Sequence, residues 1–278
     1  MTRFPEKIKA CVLLIILLVE AVACTIKEDR EPCPCYLDVD YATVIQDKVF
    51  GKKEGVVDVA VFNPEESCLT TFNVPECPQL HENVVERGFS QVIGVVHNRP
   101  LVNFLEKGHI LKWAAGNEID SVYVHASEVD CRGEEAYCLL QPHKQFHTIF
   151  LTDEFEGMAL REYNLVVRGS TCGFDAAAEN FEAIEGEYLY TVQEYDRDGG
   201  ISVRVPRQIN NDLRLEMWTK DDYRRVFIAP IGQYMNATGY DKQALDLVDF
   251  DIKINFRDAL IYVRVADWDD ELVFTLFE

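Results

Sequence analysis

The chain has 278 residues, 48% of them hydrophobic and 27% charged, the balance of a globular protein and not of a disordered one. Asp plus Glu number 48 against 27 Lys plus Arg, a formal net charge of −21. Such an excess of negative charge argues against nucleic acid as a partner and against adsorption to anionic head groups, both of which need clustered cations. The length fits one large or two medium domains.

In chain order, the first element is a leader. Arg3, Lys7 and Lys9 precede the apolar run Cys11 to Val19, which is too short to span a bilayer as a helix. Ala21, Val22 and Ala23 then lead into Cys24. A small residue directly before Cys after such a run resembles the bacterial lipobox. The resemblance implies a lipoprotein signal peptide over 1–23, cleavage before Cys24 and acylation of its thiol. Ordinary secretory cleavage at the same place is the alternative, and Glu20 departs from both patterns. Residues 24–34 read as a polar, lipidated tether. Within it, Lys27-Glu28-Asp29 resembles the short Lys-plus-acidic export signal of surface lipoproteins of Bacteroidota.

Past the tether, apolar residues recur with period two, the signature of strands with one buried face. Leu37, Val39 and Tyr41 form the first such set, followed by Val57, Val59 and Val61, and by Val122 and Val124. Asn83 to Gly88 and Val102 to Lys107 are each predicted to hold a turn or two of helix. The later strands carry Ile201, Val203 and Val205; Leu213, Leu215 and Met217; Phe250, Ile252, Ile254 and Phe256; and Ile261, Val263 and Val265. Asp198-Gly199-Gly200, Gly232 and Gly239 mark turns between them. The pattern predicts an all-β protein of two sandwiches, 35–148 and 149–278, with the boundary near Phe146 to Leu151.

The cysteines beyond the leader and Cys24 are Cys33, Cys35, Cys68, Cys77, Cys131, Cys138 and Cys172. Outside the cytoplasm they are free to oxidise. Cys68 with Cys77 and Cys131 with Cys138 each bracket a short polar segment and are expected as loop staples, with buried or free thiols as the alternative. Cys33-Pro34-Cys35 is too tight to close on itself. An odd count leaves at least one thiol free.

Motifs of catalysis are absent: the sequence has no nucleophile elbow, zinc-protease helix or phosphate loop. His143 and His147 lie four apart, but Pro142 and the strand-like context argue against a helical metal pair. Tyr195 to Gly199 reads as a hairpin tip without the further ligands of a calcium loop. Asn236-Ala237-Thr238 matches an N-glycosylation sequon, and Asp120-Ser121-Val122 resembles an O-glycosylation site of Bacteroidota. Trp113, Trp218 and Trp268 are dispersed and form no aromatic row. No catalytic residue, metal or cofactor is assigned.

Several blocks resemble one family. Arg204-Val205-Pro206-Arg207-Gln208-Ile209 running into Leu213 and Leu215, then Ile231-Gly232-Gln233-Tyr234-Met235-Asn236-Ala237-Thr238-Gly239-Tyr240-Asp241, look like motifs of the fimbrial anchor and minor-subunit lipoproteins of Bacteroidales, the FimB-type fimbrillin relatives. Leu247 to Phe256, Ile261 to Trp268, and Cys35 to Tyr41 at the front match that family's closing and opening strands in the same order. The extra cysteines depart from it. The resemblance implies two tandem transthyretin-like, Greek-key β-sandwich domains and structural work without enzymatic activity. The implied role is a fimbrial anchor or accessory subunit at the outer membrane, joined to stalk fimbrillin by β-strand addition. Its first strand would be retained. A surface adhesin or glycan-binding module, including a fimbrial tip subunit, is the alternative. At the C-terminus, Leu272, Val273, Phe274, Thr275, Leu276 and Phe277 are apolar on both faces. That segment is either a core strand or a donor strand for fimbrillin, because such a strand left at an open edge invites pairing.

Overall fold

The structure, a computed structural model, describes residues 33–46, 55–63, 67–98, 110–113, 116–153, 160–176, 182–194, 200–255, 260–266 and 271–275. The expectations for the leader, Cys24, the tether up to residue 32, Val102 to Lys107, Tyr195 to Gly199, Phe256, Trp268, Leu276 and Phe277 lie outside these residues.

The chain is all-β in sandwich form. Its strands are β1 (Cys35–Asp40), β2 (Val56–Phe62), β3 (Ser67–Asn73), β4 (Leu80–Val85), β5 (Phe89–His97), β6 (Ile110–Lys112), β7 (Tyr123–Asp130), β8 (Glu135–Leu139) and β9 (His143–Lys144). The second half holds β10 (Phe146–Asp153), β11 (Tyr163–Asp175), β12 (Glu182–Thr191), β13 (Ile201–Pro206), β14 (Arg214–Thr219), β15 (Arg225–Ala229), β16 (Phe250–Asn255), β17 (Leu260–Val265) and β18 (Glu271–Thr275). Four sheets result, ordered β4-β1-β8, β3-β2-β5-β7-β9, β12-β11-β14-β15 and β13-β10-β16-β17-β18.

The two halves repeat one topology. In the first, β1 pairs antiparallel with β4 and parallel with β8, opposite a sheet in which β3, β2, β5 and β7 are neighbours. In the second, β10 pairs antiparallel with β13 and parallel with β16, opposite β12, β11, β14 and β15. The repeating unit is therefore seven strands, and β17 and β18 extend the second copy beyond it.

Burial follows the predicted alternation. Leu37, Val39 and Tyr41 are fully buried with Val57, Val59, Val61, Val92 and Val96 in a core between the first two sheets. Ile201, Val203, Val205, Leu213, Leu215, Met217, Phe250, Ile252, Ile254, Ile261, Val263 and Val265 fill a second core between the other two. Each such side chain contributes about 1.5–3 kcal/mol by leaving water. A third cluster joins the halves: Ile93, Val95, Val122 and Val124 pack on Leu111, Phe174 and Ala176. It forms because β6 leaves the first half to pair with the far end of β11. That crossing requires a glycine, since a Cβ on Gly173 would lie 2.1 Å from the Leu111 carbonyl oxygen.

Two expectations need correction. Asn83 to Gly88 is not helical: Asn83 and Val85 point inward and Val84 outward, so the segment keeps period two and ends β4. The loop staples are also not formed, because all seven cysteines are free thiols. Cys68 is exposed inside β3 opposite Val61, whereas Cys77 lies past the turn Val74–Glu76 that follows β3. Cys138 sits opposite Val39, with its sulfur against Ser127 Oγ and His125 Nε2. The α-helices among the described residues are Ala42–Gln46, whose first turn begins with the Ala42 N–H donating to Asp40 Oδ1 at 2.8 Å, and Ile231–Ala237.

Candidate functional site

Two sheets of the second half end on the same side of the molecule. β15 closes one and β18 the other, and among the described residues each is paired on one flank only, with β14 and β17 respectively. The helix Ile231–Ala237 fills the opening between them.

Local sequence builds that helix. Pro230 starts it, with φ already fixed near the helical value, and Gly239, at φ +77°, ends it in the left-handed region that favours glycine. Gly232 allows the close approach of another segment: a Cβ there would lie 2.4 Å from the Asn211 carbonyl oxygen, and its N–H donates to Leu213 O at 2.8 Å. Ile231, Tyr234 and Met235 face the core. The Tyr234 ring stacks on Phe274 of β18, with centroids 4.4 Å apart and planes 29° from parallel.

The next loop is pinned by a buried arginine. Arg207 is 6% exposed, and its guanidinium donates to Gln145 Oε1 (3.0 Å), Lys242 O (2.6 Å), Ala244 O (2.7 Å) and Leu245 O (3.2 Å). Gln208 donates to Pro206 O at 2.7 Å and accepts the Ser170 N–H at 3.2 Å. The residues that carried the family resemblance thus hold the helix and its following loop in place.

Between helix and edges lies a groove of about 750 Å³, lined by Ile228, Pro230, Gln233, Tyr234 and Ala237 on one wall and by Val273, Phe274 and Thr275 on the other. Val226, Ile228 and Val273 stand 42%, 38% and 52% exposed around it. The described lining is apolar apart from Gln233, the Tyr234 hydroxyl and Thr275, a surface suited to docking. An open strand edge supplies unpaired N–H and C=O groups, and an adjacent apolar groove takes alternate side chains; together they are the parts of β-strand addition.

The predicted residues fall as follows. Leu272, Val273, Phe274 and Thr275 lie in β18, with Leu272 opposite Val263 and Phe274 opposite Ile261. Phe274 packs against the core while Val273 points outward. His143 binds Asp246 at 2.9 Å near the surface, and His147 is buried between Tyr240 and Phe250, so the two do not converge. Among the described residues no group of three or more His, Cys, Asp or Glu is arranged to hold a metal. Asp120 accepts the N–H groups of Asn98 and Ser121, and Ser121 Oγ accepts from Arg204 at 2.9 Å, which gives this tripeptide a place in the contact between the halves. Asn236 is exposed at the end of the helix. Trp113 packs edge-on against Phe174, and Trp218 donates to the buried Glu216 at 3.1 Å. The sequence reading missed β15 and the helix as walls of a site. Their signals were the apolar run Val226 to Ala229 and the Pro230…Gly239 punctuation.

No known family's sequence profile matches the chain, and no curated protein matches it. Solved structures do. A candidate polysaccharide-binding protein of Bacteroides thetaiotaomicron superposes with a TM-score of 0.63 at 13% identity, covering 88% of this chain and 99% of that one. A candidate adhesin of Bacteroides ovatus gives 0.58 at 14% identity, covering 91% and 99%. The fimbrial anchor protein Mfa2 of Porphyromonas gingivalis gives 0.56 at 11% identity, covering 88% and 100%. At these identities the shared property is the fold, over nearly the full length of each chain.

Proposed function

We propose that this protein is an anchor or accessory subunit of a cell-surface fimbria, held at the outer membrane through acyl chains on Cys24 and joined to stalk fimbrillin by β-strand addition. In this reading the repeated units are two tandem domains, 35–148 and 149–278, and the protein is not an enzyme. The observation that carries it is β18: a strand paired on one flank only among the described residues, with Leu272 and Phe274 turned inward and Val273 exposed on the other face, beside a groove and outside the seven-strand unit. The likeness of fold to an anchor protein supports it. β1 favours an anchor over a processed subunit, because it is the central strand of its sheet and its inward residues are fully buried. Its loss would open the first core, so the strand is retained.

Deleting Glu271 to Glu278 tests the attachment. The truncated protein should fold, as judged by cooperative unfolding, and should lose capture of fimbrillin from solubilised fimbriae. Capture at the wild-type level by the folded truncation overturns the assignment of β18. The membrane arm has a separate test. Cys24→Ala should shift the protein from the envelope to soluble fractions and abolish incorporation of labelled palmitate, since stable anchoring needs more than one chain or signal. Label retained by that variant overturns acylation at Cys24.

A further inference from the structure

Two cysteines that are distant in sequence meet in the first core. Cys35 opens β1 and is paired with Val85 at the end of β4. Cys131 follows β7, and its N–H donates to Gly88 O at 2.8 Å, just beyond that same end of β4. On the other flank the Tyr36 N–H donates to Glu134 O at 2.9 Å, which ties the start of β1 to the turn between β7 and β8. Both cysteines are 0% exposed in the same core cluster, and Cys131 lies near enough to act on the ionisation of the Cys35 thiol. Cys138 also lies near Cys131, but its sulfur is engaged by Ser127 Oγ and His125 Nε2, while Cys77 lies by Pro78 O and Cys172 by Glu185 O.

We propose that Cys35 and Cys131 become joined by a disulfide that fastens the first strand to the turn between β7 and β8. The chemistry is thiol–disulfide exchange with an external disulfide, either a dithiol–disulfide oxidoreductase or an oxidised low-molecular-weight thiol. One cysteine attacks as thiolate and forms a mixed disulfide. The other displaces the carrier, and the electron pair and both thiol protons leave with the reduced oxidant. Burial, with Cys131 alongside, pushes the Cys35 thiol up to about 11, so the exchange belongs to folding, before the core closes. Afterwards the same burial keeps reductants out. The bond closes a loop of about a hundred residues, and a crosslink restricts the unfolded chain more the longer the loop it closes. It also makes β1 resistant to removal: a cut between β1 and β7 leaves the strand covalently attached.

The proposal rests on the export reading above, and the experiment separates the two. Protein purified from whole cells is unfolded in alkylating agent without reductant, digested and weighed. The expected product joins the Cys35 and Cys131 peptides, lighter by two hydrogens than their sum and split by reductant. Alkylation of both thiols, or a Cys131–Cys138 link, overturns the pairing in the cell. In parallel, the reduced chain is refolded with oxidised glutathione. Failure to form the Cys35–Cys131 link there overturns the proposal whatever the protein's location. A link there with free thiols in the cellular protein places the failure in the export reading. The oxidised protein should melt roughly 10 °C above the reduced one, and a Cys35→Ala/Cys131→Ala variant should show no reductant-dependent shift.

Discussion

Replacing Arg207 by Met should cost about 4 kcal/mol of stability, and replacing it by Lys should recover little of that. The guanidinium donates to one side-chain oxygen and three carbonyls that converge on it from two separate segments, Gln145 and the loop Lys242 to Leu245. Met fills a comparable volume but leaves Gln145 Oε1 and the Lys242 and Ala244 carbonyls without the donors that Arg207 supplies, in a site shut off from water, while Leu245 O keeps the Gln145 amide. Each unsatisfied buried acceptor costs about 1–3 kcal/mol, and some of the loss is recovered as the loop relaxes outward. Lys brings a charge but only one nitrogen, which cannot span the planar fork. Urea unfolding of the three proteins measures the difference. A loss below about 1 kcal/mol for both variants would show that the loop is held by other contacts. Because that loop follows the helix Ile231–Ala237, the Met variant should also loosen the Tyr234–Phe274 stack at the groove.

The strands of this fold were legible because a sheet with one buried face writes its burial as alternation. Leu37, Val39 and Tyr41, or Phe250, Ile252 and Ile254, are visible in the sequence for the same reason that they are buried in the structure. Where a strand is buried on both faces the signal fades. In β5, Val92 and Val96 enter one core while Ile93 and Val95 enter another, so the sequence reads as a continuous apolar run and the joint between the halves is hidden. Asn83 to Gly88 failed differently: its outward residues include Val84, which breaks the polar half of the alternation.

The candidate site was legible only in part. The two-faced apolar pattern of Leu272 to Phe277 pointed to β18. The facing wall did not, because a groove between sheet edges is assembled from strands that are distant in sequence and has no local motif. The repeated topology was equally hidden, since strand order depends on pairing and leaves no sequence period. The blocks that carried the family resemblance proved to be structural determinants. Arg207 ties a loop, Gln208 sits where a Cβ on Gly169 would be 2.5 Å from its Oε1, and Gly232 admits the Asn211 backbone. Such motifs report the fold faithfully and the partner only indirectly. The cysteines make the same point. Proximity in sequence favoured Cys131 with Cys138, whereas the packing of β1, β4 and the turn after β7 also gathers Cys131 and Cys35 into one core.

Acid should destabilise this protein well above the range in which its carboxylates titrate, and His147 should be the main cause. The ring is 1% exposed, sits edge-on to Tyr240 and Phe250 at 6.0 and 5.9 Å, and neither nitrogen has a hydrogen-bond partner among the described residues. Burial, reinforced by the positive charges of Lys144 and Arg207, holds its pKa down at about 3, against 6.5 for the free side chain. Above pH 6.5 the ring is neutral in both folded and unfolded chains and the full stability is present. As pH falls below 6.5 the unfolded chain takes up a proton that the folded chain refuses, so stability drops by about 1.4 kcal/mol per pH unit, or about 3 kcal/mol by pH 4. The loss continues until the folded state itself protonates near pH 3. His125, whose pKa burial also lowers, adds to the slope in the same direction. His147→Phe supplies an aromatic ring of similar shape to an aromatic pocket and removes the titration. Denaturant unfolding at pH 7.5 and pH 4.5 should therefore show a stability difference smaller by about 2–3 kcal/mol in that variant than in the wild type. An unchanged difference would move the acid sensitivity to His125 and the surface carboxylates, and would mean that the His147 pocket admits either water or a proton.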